Sequence, residues 1–180
     1  ANGSYVEFAQ NGTTISDTIT IPVTRYYDLK LTGGLKNIAL GTTTVANNFI
    51  ADGVANFGGT IAPNYTYASI LVCLGNITFL NGTAFEPESA LAKQRRISLI
   101  VNGNGPVQNI VSNGTNIILA QLKRTATTAC NVVLSPSTNL YLGSAFGGGL
   151  SFKSANTTFS CTGGSVNFRN ISTVAESTDQ

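Results

Sequence analysis

Between Ile15 and Thr24 the chain sets Ile15, Ile19, Ile21 and Val23 against Ser16, Thr18, Thr20, Pro22 and Thr24, with Asp17 the only break. A period of two means a strand with one face buried and the other in water. Pro22 has no N–H to give to a ladder, which puts that end at an edge or a bulge. Further β-prone runs lie at Tyr26 to Leu31, Ala68 to Leu74, Ile77 to Leu80, Ile97 to Val101, Val107 to Val111, Asn116 to Leu122, Asn131 to Leu134, Leu140 to Leu142, Leu150 to Lys153 and Ser165 to Ile171. Asn-Gly, Asp-Gly and Gly-Gly steps punctuate them. Gly103 and Gly105, then Asn113-Gly114, read as the turns of two successive hairpins, which predicts a β-meander. One short helix is expected from Pro87 to Arg96, where Glu86 and Glu88 precede Lys93, Arg95 and Arg96 in the order the helix dipole favours. No internal repeat is evident. Short strands with turn signals at this spacing predict an all-β fold, a β-sandwich or jelly-roll-like domain.

The 180 residues suffice for one domain with a substantial core. Apolar residues make up 42% of the chain and charged residues only 10%, against roughly 25% in ordinary soluble domains. Asn, Thr, Ser and Gly therefore supply the surface polarity, and since they do not titrate, stability is expected to depend weakly on pH. The net charge of +2 is spread along the chain apart from Lys93, Arg95 and Arg96, a poor footprint for nucleic acid.

Three cysteines, Cys73, Cys130 and Cys161, lack the C-x-x-C spacing of zinc or redox sites and allow one internal bridge at most. Three pairings are open. Cys130 with Cys161 is preferred, because Cys73 lies in an apolar run where a free thiol packs as a small hydrophobe. The longest apolar stretch, Tyr67 to Leu80, is broken by Gly75 and Asn76 and is too short to cross a bilayer, so no membrane span is expected. The opening residues carry no signal-like segment, and a start at Ala1 fits a processed, secreted product.

Catalysis finds little material. The chain has no His, which removes the commonest general base and the usual triad, and no Trp to stack on a sugar. The carboxylates Glu7, Asp17, Asp28, Asp52, Glu86, Glu88, Glu176 and Asp179 would allow a glycosidase pair only if two faced each other across a cleft. The glycines from Gly147 to Gly149 lack the lysine of a P-loop and read as a loop or bulge. The expectation is a protein that is not an enzyme and needs no cofactor or metal.

The strongest local signal is the N-x-S/T acceptor sequence for N-glycosylation, present at Asn2, Asn11, Asn64, Asn76, Asn81, Asn113, Asn156 and Asn170. Asn113 is expected to be highly accessible and Asn76, between two apolar runs, the least accessible. At the N-terminus Tyr5, Val6, Glu7, Phe8 and Ala9 form a β-prone stretch with Val6 and Phe8 on one face, and Asn11-Gly12 separates it from the alternating Ile15 to Val23 run. It could join its own sheet or complete a neighbour's by strand addition. The division is a tail over 1–12 and a β-domain over 13–180.

The Ala1 start, the β segment near the N-terminus, the Asn/Thr/Ser-rich β-domain, the dense acceptor sites and the low charge together resemble the donor-strand-complemented surface filaments of archaea. The Sulfolobus-type threads are the nearest in plan, with bundling pili and TasA-type biofilm fibres related. That resemblance implies that Tyr5, Val6, Glu7, Phe8 and Ala9 act as a donor strand inserted into the next of many identical subunits in a head-to-tail homopolymer. It also implies an extracellular, N-glycosylated fibre serving adhesion or biofilm. The alternatives are a non-filamentous surface or capsid-type β-protein and a carbohydrate-binding module.

Overall fold

In the computed structural model, all residues are described except 1–2, 13, 15–16, 61–68, 86–96, 114–115, 144–148, 153–156 and 169–180. Nineteen short strands succeed one another among the described residues, and every pairing among them is parallel. No strand pairs with its sequence neighbour. Each pairs instead with a strand one turn before it, one turn after it, or both, so the chain winds as a coil with sheets for walls.

Face A is a seven-stranded sheet of β1 (Tyr5–Ala9), β4 (Asp28–Thr32), β7 (Phe49–Asp52), β10 (Ile77–Leu80), β12 (Val107–Ser112), β15 (Cys130–Leu134) and β18 (Thr157–Cys161). Face C carries β3 (Arg25–Tyr26), β6 (Gly41–Val45), β9 (Ser69–Cys73), β11 (Ser98–Val101), β14 (Gln121–Arg124) and β17 (Leu150–Phe152). The third face, B, is built by two sheets in succession: β2 (Ile19–Ile21), β5 (Leu35–Ile38) and β8 (Asn56–Gly59), then β13 (Ile117–Leu119), β16 (Asn139–Leu142) and β19 (Ser165–Phe168). A bridge from Phe57 to Phe85 carries the third face into the turn between them. The chain visits A, B and C in order, turn after turn. This is a parallel β-solenoid.

The sandwich or jelly-roll expectation is thus corrected, and so is the meander. β11, β12 and β13, expected to form two hairpins, lie on three different faces and do not pair with each other. The physical reason lies in the corners. Gly and Asn mark a hairpin turn and a solenoid corner alike, so their presence does not say which, and Gly103, Gly105 and Asn113 do not take the left-handed φ that an Asn-Gly-type hairpin turn needs. Leaving face A, left-handed backbone recurs at Gly33, Gly53, Asn81, Ser137 and Gly163. Among the described residues of the run from Ile15 to Thr24, Ile19–Ile21 form a strand, and Asn116 to Leu122 is split at the buried Ala120 into β13 and β14 on adjoining faces. The helix expected from Pro87 to Arg96 lies outside the described residues.

Alternation still governs which side chains enter the core. Burial runs buried–intermediate–buried along β7, β9 and β15, and in-register pairing stacks the inward residues into columns. Leu29, Phe49, Ile77, Ile110 and Leu134 form one such column on face A. Midway along the coil Phe49, Phe57, Phe79 and Phe85 cluster, the last two with ring centroids 5.0 Å apart in an edge-to-face arrangement. Polar clasps tie the corners between turns. Gln108 donates to the carbonyls of Cys73 and Gly75 while its Oε1 accepts from Gly103 N–H, and Asp28 Oδ1 accepts from Asn47 Nδ2 and Asn48 N–H.

Among the described residues two cations lie inside. Arg124, on β14, is fully buried, and its guanidinium donates to the carbonyls of Val101, Gly103 and Thr128 and to the hydroxyls of Thr128 and Thr157. It therefore joins three turns at the corner between faces C and A. Lys36, on β5, occupies an inward position between Ile19 and Phe57 and donates to Gly33 O at 2.5 Å. Burial pushes its pKa below the ordinary lysine value.

Candidate functional site

Four of the eight acceptor asparagines fall among the described residues: Asn11, Asn76, Asn81 and Asn113. All four are exposed. Asn2, Asn64, Asn156 and Asn170 lie outside them. Asn11, Asn81 and Asn113 each come just after a strand of face A, at the corner where the chain turns toward face B. The coil thereby places acceptors that are distant in sequence along one edge. At Asn81 the left-handed backbone, φ 48°, turns the chain, and the side chain reaches over face A to donate to Asp52 Oδ1 at 2.6 Å. The acceptor threonine two residues on, Thr83, points the other way. It is fully buried, donates to the carbonyls of Ala51 and Leu80 and accepts from Val54 N–H.

Asn76, expected to be the least accessible, is exposed at the start of β10, and its Oδ1 accepts from the backbone N–H and the side chain of Asn109. Ile77 after it faces inward and Leu74 before it is half-buried, so the two apolar runs do not enclose it. The alternation of single residues carried this information; the hydrophobicity of the whole window hid it.

Glu7 stands on the outer surface of face A beside this corner. It accepts from Thr32 Oγ1 at 2.6 Å and from the Tyr5 hydroxyl, and it pairs with Lys30 at 3.3 Å. Lys30 also reaches Asp52 at 3.9 Å. The hydrogen bond from Thr32, then that from Tyr5, holds the Glu7 carboxyl below its ordinary value, and the bond to Glu7 raises Lys30. A chain of polar contacts therefore runs Tyr5–Glu7–Lys30–Asp52–Asn81 across successive turns. Sequence could not group these residues, because their neighbourhood exists only once the turns are stacked.

Tyr5, Val6, Glu7, Phe8 and Ala9 form β1, paired in parallel with Asp28–Thr32 of the same chain. Val6 and Phe8 face inward, as the alternation implied, and the Phe8 ring meets Tyr26 edge-on at 6.2 Å. The segment is thus continuous with the sheet rather than set apart from it, and its other edge has no partner among the described residues.

The expected Cys130–Cys161 bridge is corrected. All three cysteines are free. Cys161 is in register with Leu134, whereas Cys130 faces Thr157 at the opposite end of the strand pair. Four residues of strand separate the two thiols by roughly 13 Å, beyond disulfide reach. Cys73 is fully buried in a face C column, and burial drives its thiol far above the ordinary range, so it packs as an apolar side chain.

Comparison with protein-family models, with curated proteins and with solved structures gave no match. Among the described residues no helix is long and apolar enough to cross a membrane.

Proposed function

We propose that this protein is a structural subunit of an extracellular, N-glycosylated filament that serves adhesion or biofilm, built as a rigid rod rather than around a reaction centre. The observation that carries the reading is the alignment of Asn11, Asn81 and Asn113 along one corner, with all four described acceptors in solvent. A glycan at any of these positions leaves the interior columns and the ladders of the other faces undisturbed. A coil of short parallel strands tied by backbone ladders and corner clasps also suits a load-bearing role. Because β1 is held within its own sheet, the reading favours assembly of intact subunits over exchange of a strand.

Glycopeptide mapping of natively produced protein, together with electron microscopy of the producing cell surface, tests this. Occupied Asn11, Asn81 and Asn113 on protein found in long thin fibres is the expected result. Bare sites would sink the glycoprotein reading, and glycosylated protein found only in a lattice or particle shell would favour the non-filamentous surface alternative.

A further inference from the structure

We infer that the two ends of the solenoid are the polymerisation surfaces, and that a second copy of this chain stacks on each end, continuing the three sheets as further turns. The inference rests on the filament reading and supplies its joint.

The ladder bonds between turns have a fixed direction and phase. At the junctions on face A, a residue in the inward phase of the earlier strand uses its backbone groups toward the next strand, and a residue in the outward phase of the later strand receives them. Ser4 O accepts from Asp28 N–H, Leu29 N–H donates to Asn48 O, Phe49 N–H donates to Asn76 O, and Ile110 O accepts from Ser135 N–H. In a parallel sheet the bonds of successive residues point to opposite sides. On β1, therefore, the N–H and C=O groups on the edge without a partner among the described residues are those of the outward residues Tyr5, Glu7 and Ala9. On β18 they are those of the inward residues Thr157, Phe159 and Cys161. These sets are the two halves of one more internal junction.

The other faces obey the same phase. Ala39 N–H donates to Ile21 O and Ala46 N–H to Tyr26 O at the first turns, which leaves Thr20 and Arg25 with the free groups. Leu122 N–H donates to Gly149 O and Ser165 N–H to Thr138 O at the last, which leaves Leu150 and Phe152, and Val166 and Phe168. All three edges at one end thus match all three at the other in polarity and phase. Joining them head to tail is heterologous and open, the geometry of a fibre.

The interior columns end in the same way. Leu119 and Leu142 are 0% and 1% exposed, whereas Phe168, next in their column, is 63% exposed. Val6, Phe8 and Ile19 at the first turn, and Leu150, Phe152, Phe159 and Val166 at the last, are likewise only partly buried while packing on the core. Edges that must stay single are commonly guarded with lysine or proline. β1, β2, β3, β17, β18 and β19 contain neither, and the only charges on them are Glu7 and Arg25.

The test uses one blocked end at a time. Ala9→Pro removes a free-edge N–H that the β1–β4 ladder does not use, and Phe168→Asp puts a charge on an exposed column end. Light scattering and negative-stain microscopy of the full chain should show fibres for wild type and folded monomers for each variant. An equimolar mixture of the two should give dimers and stop there, since the ends that remain open in each partner meet only once. Tyr5→Pro and Phe168→Lys serve as a second pair if either first variant loses its β circular-dichroism signal. Fibres from a single blocked variant, no dimer in the mixture, or a wild type that stays monomeric at high concentration would each overturn the inference. Fibres on native cells whose subunits ignore the blocks would refute end stacking and leave the filament reading standing. Purified protein that stacks while native surfaces carry no fibre would do the reverse.

Discussion

Arg124 gives the sharpest test of how the solenoid is held. Its buried guanidinium reaches three backbone carbonyls and two hydroxyls on three turns. Replacing it with Met leaves the carbonyls of Val101, Gly103 and Thr128 without this donor, at about 1–3 kcal/mol for each buried acceptor. Removing a buried cation also relieves a desolvation penalty of several kcal/mol, which offsets part of that loss. The expected net loss is about 3 kcal/mol, a fall in Tm of roughly 6–12 °C for a chain of this size. Arg124→Lys decides between charge and geometry. One ammonium cannot occupy the positions of three separate guanidinium nitrogens, so Lys should cost nearly as much as Met. Thermal melts monitored by circular dichroism measure both. A Lys variant within about 0.5 kcal/mol of wild type, the usual range for a neutral change, would refute the clasp.

Lys36→Met should leave stability unchanged or raise it, because an apolar chain of similar length replaces an ammonium held in the core. Since the folded-state pKa of Lys36 is lowered, the unfolded chain binds its proton more tightly, and wild-type stability gains from this group as pH rises toward the ordinary value of 10.5. The gap between Met variant and wild type should therefore narrow in alkali, and chemical denaturation across that range reads it. Glu7 has its pKa lowered, so its contribution is present above the ordinary carboxyl value and is lost as pH falls through the folded-state value. Glu7→Gln should flatten the acid limb of a Tm–pH profile, and an unchanged limb would contradict this. Gly75→Ala would place Cβ 1.9 Å from the Asn47 carbonyl oxygen, whereas nothing lies within 4 Å of a Cβ at Gly82. The first should cost at or beyond the upper end of about 1–3 kcal/mol, the second only the left-handed strain of about 1–2 kcal/mol, and equal Tm losses would refute the turn-to-turn contact.

Many of the strands were legible in the sequence because alternation is a local signal, but Leu35–Ile38, Gly41–Val45, Phe49–Asp52, Asn56–Gly59 and Thr157–Cys161 lie outside every expected run. Val6 and Phe8, Ile77 and Phe79, and Leu140 and Leu142 face inward as the period of two requires. The partners of those strands were not legible, because pairing here depends on residues a whole turn away, from 17 residues between Ile19 and Lys36 to 33 between Asn76 and Asn109. An irregular turn length leaves no fixed repeat to detect. It also explains the failed disulfide: spacing along the chain says nothing about which end of a strand a cysteine meets.

The corner after face A connects fold and function through a single backbone requirement. The turns that place left-handed backbone there need a residue that tolerates positive φ, and Gly and Asn do so at least cost. Where the choice is Asn-Gly with Thr next, as at Asn81, the left-handed residue presents its amide to solvent while the threonine two positions on turns inward and binds the carbonyls of Ala51 and Leu80. The same three residues therefore close the turn and complete an acceptor sequence. Coiling then repeats the placement along one edge, so acceptors need no regular sequence spacing to be aligned in space. Glycans at Asn81 and Asn113 would keep neighbouring rods from approaching side by side on that corner, whereas Asn11, just after β1, stands beside an end. Lateral association and end-to-end growth would then be controlled by different parts of the molecule, the first by the corner chemistry and the second by the phase of the backbone ladders.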